Sequence, residues 1–160
     1  MIKSKDLVET LKEHEFVAGF KPEYIDRLAS MAHEVHFDRD QIVFREGDDS
    51  SFFYLLVSGK VALEVTALGR VLRVQTLREG EELGWSSALP ASGGKHFQAR
   101  ALTAVRALAL DGARLREACE EDHSFGYAVM RRLLQVVAGR LQAFRLQLLD
   151  VYAPEGPKSA

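Results

Sequence analysis

The sequence predicts a mainly β protein, a small antiparallel sandwich or barrel with helices at both ends. Between Val35 and Leu110, short β-branched and aromatic runs alternate with glycine-bearing turns, which is typical of small all-β folds. Before and after this stretch, apolar residues recur at spacings of three and four, which indicates helices. The chain has 160 residues, of which 47% are apolar, so it has the length of one ordinary domain with a hydrophobic core.

Residues 1–35 are predicted to form two or three short helices. From Asp6 to about His33 the apolar residues follow helical spacing, with Gly19 and Pro22 interrupting the pattern. Pro22 suits the first turn of a helix, because its missing N–H would have no partner there. The chain is therefore expected to enter the β region from a helix.

Residues 36–112 are predicted to form the β region. Five runs have strand composition, namely 41–44, 52–57, 61–65, 71–74 and 104–110. Gly47, Gly59 and Gly69 fall in turns between these runs, where a positive φ costs glycine little. Three reversals in so short a stretch favour an all-β arrangement over an α/β one.

Residues 113–152 are predicted to be helical, and the clearest pattern of the sequence lies beyond Asp122. Apolar residues there alternate spacings of three and four over more than three heptads, at Tyr127, Met130, Leu134, Val137, Leu141, Phe144, Leu148 and Val151. A helix of roughly 30 residues extends about 45 Å, longer than one small domain covers. The seam therefore predicts a homodimer through the helix from about His123 to Tyr152. The tail, 153–160, is expected to be disordered, and the whole chain to form one structural domain.

Composition restricts the partners and the compartment. The formal charge of −2 and the pI of about 6.2 provide no overall basic field for nucleic acid. Cys119 is the single cysteine, so one chain cannot form a disulfide, which suits a reducing cytoplasm. No apolar run approaches about 20 residues, and the N-terminus lacks the pattern of a signal peptide. A cytoplasmic protein with no membrane partner is expected.

Neither catalysis nor metal binding is indicated. His33, His36, His96 and His123 lack the spacing of metal-ligand pairs, and the sequence holds no Cys-x2-Cys pair. The paired carboxylates Glu81 and Glu82 resemble those of a solvated turn, and no nucleophile and base can be assigned from spacing. The chain is predicted not to be an enzyme, with no metal and no certain cofactor.

Several motifs, taken together, resemble the cyclic nucleotide-binding domain of catabolite activator and FNR-type regulators. They are Ile42 to Asp48, Phe53 to Val61, Gly80 to Gly84 and Ala99 to Thr103, in the family's order and followed by two helices. The resemblance covers about Val8 to Tyr152. It implies an antiparallel eight-stranded jelly roll with N-terminal helices, a long C-terminal dimerisation helix and a small-ligand pocket inside the roll.

The resemblance also implies where a ligand would bind and where this sequence departs from the family. The phosphate-binding turn would run from Gly84 to about Leu89 and include Ser86 and Ser87. Trp85 stands where nucleotide binders place a ribose-binding glutamate, and Lys95 stands where they place the phosphate-binding arginine. His96 replaces a small residue. The expected ligand-binding residues are Gly84, Trp85, Ser86, Ser87, Lys95 and His96, with a nucleotide or another small anion as the ligand and altered or lost specificity for cyclic AMP.

Two classes of function remain open. The first is a dimeric sensor that binds a small anion or nucleotide and signals to an unknown protein partner. The second is a structural or interaction subunit whose vestigial pocket is filled by Trp85. A third possibility is a transcription regulator whose DNA-binding domain is absent, because the chain ends about eight residues after the long helix. Arg131, Arg132, Arg140 and Arg145 surround that helix and are expected to be solvated or paired with a partner helix, so no DNA binding is expected from this chain alone.

Overall fold

The computed structural model describes residues 4–49, 51–89 and 94–152. Within them, four α-helices lie in chain order: α1, Ser4–Lys12; α2, Pro22–Met31; α3, Gly112–Glu121; and α4, His123–Tyr152. Pro22 occupies the first turn of α2, as its sequence position predicts. The Asp111 carboxylate caps α3 by accepting a hydrogen bond from the Arg114 N–H at 3.1 Å.

Eight strands lie within the same ranges and form two four-stranded antiparallel sheets. Their bounds are β1, Ala32–Phe37; β2, Ile42–Phe44; β3, Phe52–Ser58; β4, Val61–Ala67; β5, Arg70–Leu77; β6, Glu82–Leu83; β7, Gln98–Ala101; and β8, Val105–Asp111. The first sheet has the order β1-β8-β3-β6 and the second the order β2-β7-β4-β5. This arrangement, with a long C-terminal helix, confirms the predicted fold class.

Three strands were not among the predicted runs. β1 begins at Ala32, inside the segment predicted to be helical, because its backbone pairs with β8 from Ala32 opposite Leu110 onward. β7 consists of two alanines and two polar residues, a composition with little intrinsic strand preference, and it forms because it lies between β2 and β4. β6 is two residues long and pairs with β3. Pairing in the folded state, rather than local sequence, decides all three.

Two hydrophobic clusters share the first sheet. Phe53, Leu55 and Leu108 point to one side and pack with the helices, whereas Leu56 and Ala107 point to the other side, towards the second sheet. The second cluster fills the space between the sheets. The pocket suggested by the resemblance opens at the edge of this second cluster, where Leu63 and Leu83 belong both to the cluster and to the pocket wall.

Helix α4 follows α3 after a single residue, Asp122. Its carboxylate accepts hydrogen bonds from the N–H groups of Ser124 and Phe125, each at 3.1 Å, which begins the new helix. A Cβ added at Gly126 would lie 2.7 Å from the Cys119 carbonyl oxygen, so glycine allows the two helices to approach closely. The α4 bounds are those predicted from the heptads. The tail predicted to be disordered, 153–160, lies outside the described residues. None of the helices within the described residues is long and apolar enough to cross a membrane.

Candidate ligand-binding site

The site is organised around Gly84, which follows β6. Gly84 has φ +78° and ψ 28°, a left-handed conformation that favours glycine. A Cβ there would lie 2.6 Å from the Phe52 carbonyl oxygen and 2.7 Å from the Lys95 ammonium. The chain then forms one 3-10 turn, Trp85–Ala88, with the Ser87 N–H donating to the Gly84 carbonyl at 3.1 Å. Glycine at position 84 is therefore required both by its left-handed backbone and by the close approach of the Phe52 carbonyl.

Lys95 is buried beside this turn, with 6% of its surface exposed. Its ammonium donates to the carbonyl oxygens of Phe52 at 3.1 Å and Gly84 at 3.4 Å, and it lies 4.7 Å from the centre of the Phe44 ring. Its backbone pairs with the turn at Gly47 and Asp48. Burial lowers the pKa of Lys95 to about 8, because the charged form loses hydration that two carbonyls do not fully replace.

Trp85 and His96 lie together in the wall of the pocket. Their rings stack with centroids 5.8 Å apart and an angle of 24° between the planes. Trp85 is half-buried and also packs against the helix-side cluster, whereas His96 is exposed. The cavity beneath them has a volume of about 20 Å³, which is room for about one water molecule. In this conformation the cavity is too small to hold a nucleotide.

The cavity brings together five of the six predicted ligand-binding residues. Its wall consists of Phe44, Leu63, Leu83, Gly84, Trp85, Ser86, Lys95, His96, Phe97 and Arg140. Ser87 is the exception. Its hydroxyl donates to the Gly84 carbonyl at 2.8 Å, and its own carbonyl accepts from Arg116 of α3. Ser87 therefore fastens the turn to α3 and does not line the cavity.

Arg140 is the charged wall residue that sequence reasoning missed, along with four apolar ones. It was expected to be solvated or paired across a dimer, and that expectation was wrong: Arg140 is 8% exposed and donates to the Glu82 carbonyl oxygen of its own chain. The seam residues drew attention to one face of α4, but Arg140 lies seven residues after the buried Leu133. That spacing places both on the face towards the sheets, and it is the signal that could have identified the residue.

The seam of α4 divides into an exposed and a half-buried row. Tyr127, Leu134, Leu141 and Leu148 are 68%, 70%, 70% and 59% exposed. Met130, Val137 and Phe144 are partly buried against their own domain, and Val151, at the end of the row, is 75% exposed. The Phe144 ring stacks on that of Phe97 at 5.4 Å, beside the pocket. The same row therefore contacts the pocket wall and borders an uncovered apolar face.

Comparison with known proteins decides the family. The family model described as "Cyclic nucleotide-binding domain" matches residues 34–122, more than half of the chain. The chain belongs to the cyclic nucleotide-binding domain family. The matched segment includes every residue of the pocket wall except Arg140.

Members of the cyclic nucleotide-binding domain family and their relatives resemble this chain over most of its length. A "CRP-like cAMP-activated global transcriptional regulator" of Mycobacterium tuberculosis is 26% identical over 149 residues, which are 93% of this chain and 65% of the regulator. The chain thus spans slightly less than two thirds of that relative. A solved structure from Geobacter metallireducens GS-15, described as a cyclic nucleotide-binding protein, is 26% identical with a TM-score of 0.73, covering 88% of this chain and 99% of that one. The N-terminal domain of a transcriptional regulator from Streptomyces coelicolor A3(2) is also 26% identical, with a TM-score of 0.67 and coverage of 94% and 99%.

Among the described residues of this cyclic nucleotide-binding domain, no three His, Cys, Asp or Glu side chains are grouped so that they could hold a metal ion. His33 packs edge-on against Phe52, and His36 lies 3.1 Å from the Glu34 carboxylate. His96 stacks on Trp85. The four histidines considered in the sequence are therefore not brought together around one centre by the described fold.

Proposed function

We propose that the chain is a non-catalytic regulatory module that binds a small anion, such as a nucleotide, beside Gly84 and acts as a homodimer through α4. The observation that carries the proposal is Lys95, an ammonium that is 6% exposed inside the family's pocket. Its hydrogen-bond partners are neutral carbonyl oxygens. A buried cation of this kind gains a full counter-charge when an anion binds.

The pocket is connected to the helix through which the signal would pass. Arg140 and Phe144 of α4 contact the pocket wall, while Leu134 and Leu141 of the same helix are each 70% exposed. An anion that moves the wall therefore moves a helix with an uncovered apolar face. A second copy offers the same face, and a two-fold axis would bury the leucines of both. We therefore expect the bound anion to regulate the protein by changing the geometry of α4 in the dimer.

Cyclic AMP is not the favoured ligand. Trp85 has no acceptor for the free ribose hydroxyl of cyclic AMP, and it stacks on His96 in the pocket wall. Lys95 retains the charge of the expected arginine but lacks its planar pair of donors. The match to a cAMP-activated regulator supports the regulatory role, whereas these three positions support a different anion.

A second candidate function is an interaction subunit with a vestigial pocket. The cavity of about 20 Å³ favours it, since no nucleotide enters without movement of Trp85 and His96. In that case Lys95 serves only to hold the Gly84 turn to β3 through its two carbonyl contacts. The two functions differ in one measurable property, which is whether any small anion stabilises the fold.

A thermal-shift screen of cyclic mononucleotides and dinucleotides, nucleotides and small dicarboxylates tests the proposal. A ligand at 100 times its Kd stabilises the native state by about 2.7 kcal/mol. Lys95→Met should weaken the binding of any hit by about 1.5–3 kcal/mol, the range for a hydrogen bond to a charged group, while Lys60→Met at an exposed position should leave it unchanged. A panel with no hit at millimolar concentration would favour the interaction subunit.

A further inference from the structure

Two buried cations face the same cavity. Lys95 and Arg140 are 6% and 8% exposed, and both line the pocket beside Gly84. They come from different parts of the fold, because Lys95 precedes β7 and Arg140 lies on α4. Every ion pair at 4.0 Å or less within residues 4–49, 51–89 and 94–152 involves other residues. Both cations are held by backbone carbonyls instead, Lys95 by Phe52 and Gly84, and Arg140 by Glu82.

The most deeply buried carboxylate of the described residues, in contrast, is paired. Glu64 is 7% exposed, and its carboxylate accepts hydrogen bonds from Arg100 at 3.1 Å and from Gln98 at 3.0 Å. The second sheet thus supplies a counter-charge and a further donor to its buried acid. Lys95 and Arg140 are buried to the same degree without such a partner. Desolvation is unfavourable for both, because two charges have left water without entering an ion pair.

The carboxylates nearest Arg140 compensate it only in part. Burial lowers the pKa of Arg140, and Glu81 and Glu82 oppose that shift through space. Burial also raises the pKa of Glu82 to about 7, so at neutral pH this carboxyl is only partly ionised. Lys95 has no carboxylate among the causes that shift its pKa, which is lowered by burial alone. The cavity therefore carries an excess of positive charge from two separate elements.

We propose that the ligand of this pocket carries two anionic groups, one bound by Lys95 and the other by Arg140. The inference rests on the proposed function and adds the ligand class to it. Such a ligand joins the Gly84 turn to α4 directly, since each anionic group pairs with a cation from a different element. Trp85 and His96 move outward to admit it, because the cavity they line holds about one water molecule. His96 is exposed and the indole is only half-buried, so this movement gives up the contact of Trp85 with the helix-side cluster and requires no buried residue of either cluster to move.

Titration calorimetry on the full chain tests the inference with four probes at equal ionic strength. Pyrophosphate and succinate carry two anionic centres of different chemistry, whereas cyclic AMP and acetate carry one. Lys95→Met and Arg140→Met each remove one buried cation. Arg145→Met is the matched control, since it removes an exposed arginine on the same helix. Arg140→Lys keeps the charge, and circular dichroism melts confirm that each variant is folded.

The expected result is that pyrophosphate or succinate binds the wild type at least 10-fold more tightly than either probe with one anionic centre. Each methionine variant should lose about 10- to 150-fold in affinity, the loss of one hydrogen bond to a charged group, and Arg145→Met should lose nothing. Pyrophosphate preferred over succinate indicates a phosphate ligand, and the reverse indicates a dicarboxylate.

Two failures are distinguishable. Binding that depends on Lys95 but is unchanged in Arg140→Met overturns the two-anion inference and leaves the proposed function standing. The same conclusion follows if cyclic AMP or acetate binds as tightly as pyrophosphate. Binding by no probe at millimolar concentration overturns the ligand-binding function itself. If Arg140→Met does not fold, Arg140→Gln decides, because it removes the charge but keeps a hydrogen-bond donor for the Glu82 carbonyl. An affinity equal to that of the Arg145→Met control would then contradict the role of the Arg140 charge.

Discussion

Leu141→Glu should convert a dimer into a monomer without unfolding the domain. Leu141 is 70% exposed in the single chain and lies at the centre of the uncovered row formed with Leu134 and Leu148. A glutamate at an exposed helical position is well tolerated by the chain alone, since it is a good helix former. In the proposed dimer the same position faces its own equivalent across the two-fold axis, so two carboxylates would meet in an apolar interface.

The expected loss of dimer affinity follows from the exposed fraction of Leu141. Fully burying a leucine contributes about 1.5–3 kcal/mol, so the 70% of Leu141 left exposed is worth about 1–2 kcal/mol when a partner covers it. Both copies lose this contribution in the variant, which amounts to about 2–4 kcal/mol per dimer. Every 1.4 kcal/mol is a factor of ten, so the Kd should rise at least about 30- to 700-fold before the cost of two like charges is added.

Sedimentation velocity at tens of micromolar gives the assay, with thermal melts of each protein in parallel. Gln142→Glu is the matched control, because it adds the same charge one residue further along α4, and a glutamate can still accept the hydrogen bond that Arg145 donates to Gln142. The control should remain dimeric while Leu141→Glu runs at the mass of one chain with an intact far-ultraviolet spectrum. A monomeric wild type, or a variant that stays dimeric, would refute the reasoning about this face.

Three further predictions concern the pocket and the core. Cyclic AMP should bind the wild type with a Kd above about 1 μM by calorimetry, and a submicromolar Kd would contradict this. Trp85→Glu removes the stack and supplies hydrogen-bond acceptors, so it should bind cyclic AMP at least about tenfold more tightly than the wild type. Since burial lowers the pKa of Lys95 from an ordinary value of 10.5 to about 8, the folded chain releases its proton first between those limits. Native stability should therefore rise with pH across that window by about 1–3 kcal/mol in urea unfolding, and Lys95→Met should abolish the rise whereas Lys60→Met should not. His14 accepts from the Phe16 N–H at its Nδ1 and contacts the Leu56 carbonyl through Nε2, and burial lowers its pKa. The free energy of unfolding should fall below about pH 6.5, where the unfolded chain takes up a proton first. His14→Ala should cost about 1–3 kcal/mol at pH 7 by thermal melts, and the stability of this variant should depend less on pH below about 6.5.

Local chemistry made much of this fold predictable. Gly47, Gly59 and Gly69 adopt φ values of +85°, +91° and +72°, as turns between hydrophobic runs require. The α4 heptads were long enough to mark both helix ends. Two of the three strands outside the predicted runs, β1 and β7, consist mostly of polar residues and alanine, with Val35 their single β-branched residue, and pairing with neighbours specifies them.

The site was less predictable because side-chain direction depends on the folded path. Trp85, Lys95 and His96 could be placed near one another through the family resemblance, but the stack of Trp85 on His96 in the pocket wall could not. Ser87 turns towards α3, and Arg140 turns inward, because the tilt of α4 across the sheets decides which of its faces is covered. A heptad pattern identifies an apolar seam and says little about the polar residue beside it.

Because a single residue, Asp122, connects α3 to α4, a tilt of α4 about this connection displaces its C-terminal end most. The close contact of Gly126 with Cys119 fixes the base of the helix, while its last turns extend past the sheets with Leu148 and Val151 exposed. At 1.5 Å per residue, Arg140 lies about 26 Å and Val151 about 42 Å from the pivot. A tilt that moves Arg140 sideways by about 1 Å moves Val151 by about 1.6 Å, so the tip amplifies whatever displacement the pocket imposes.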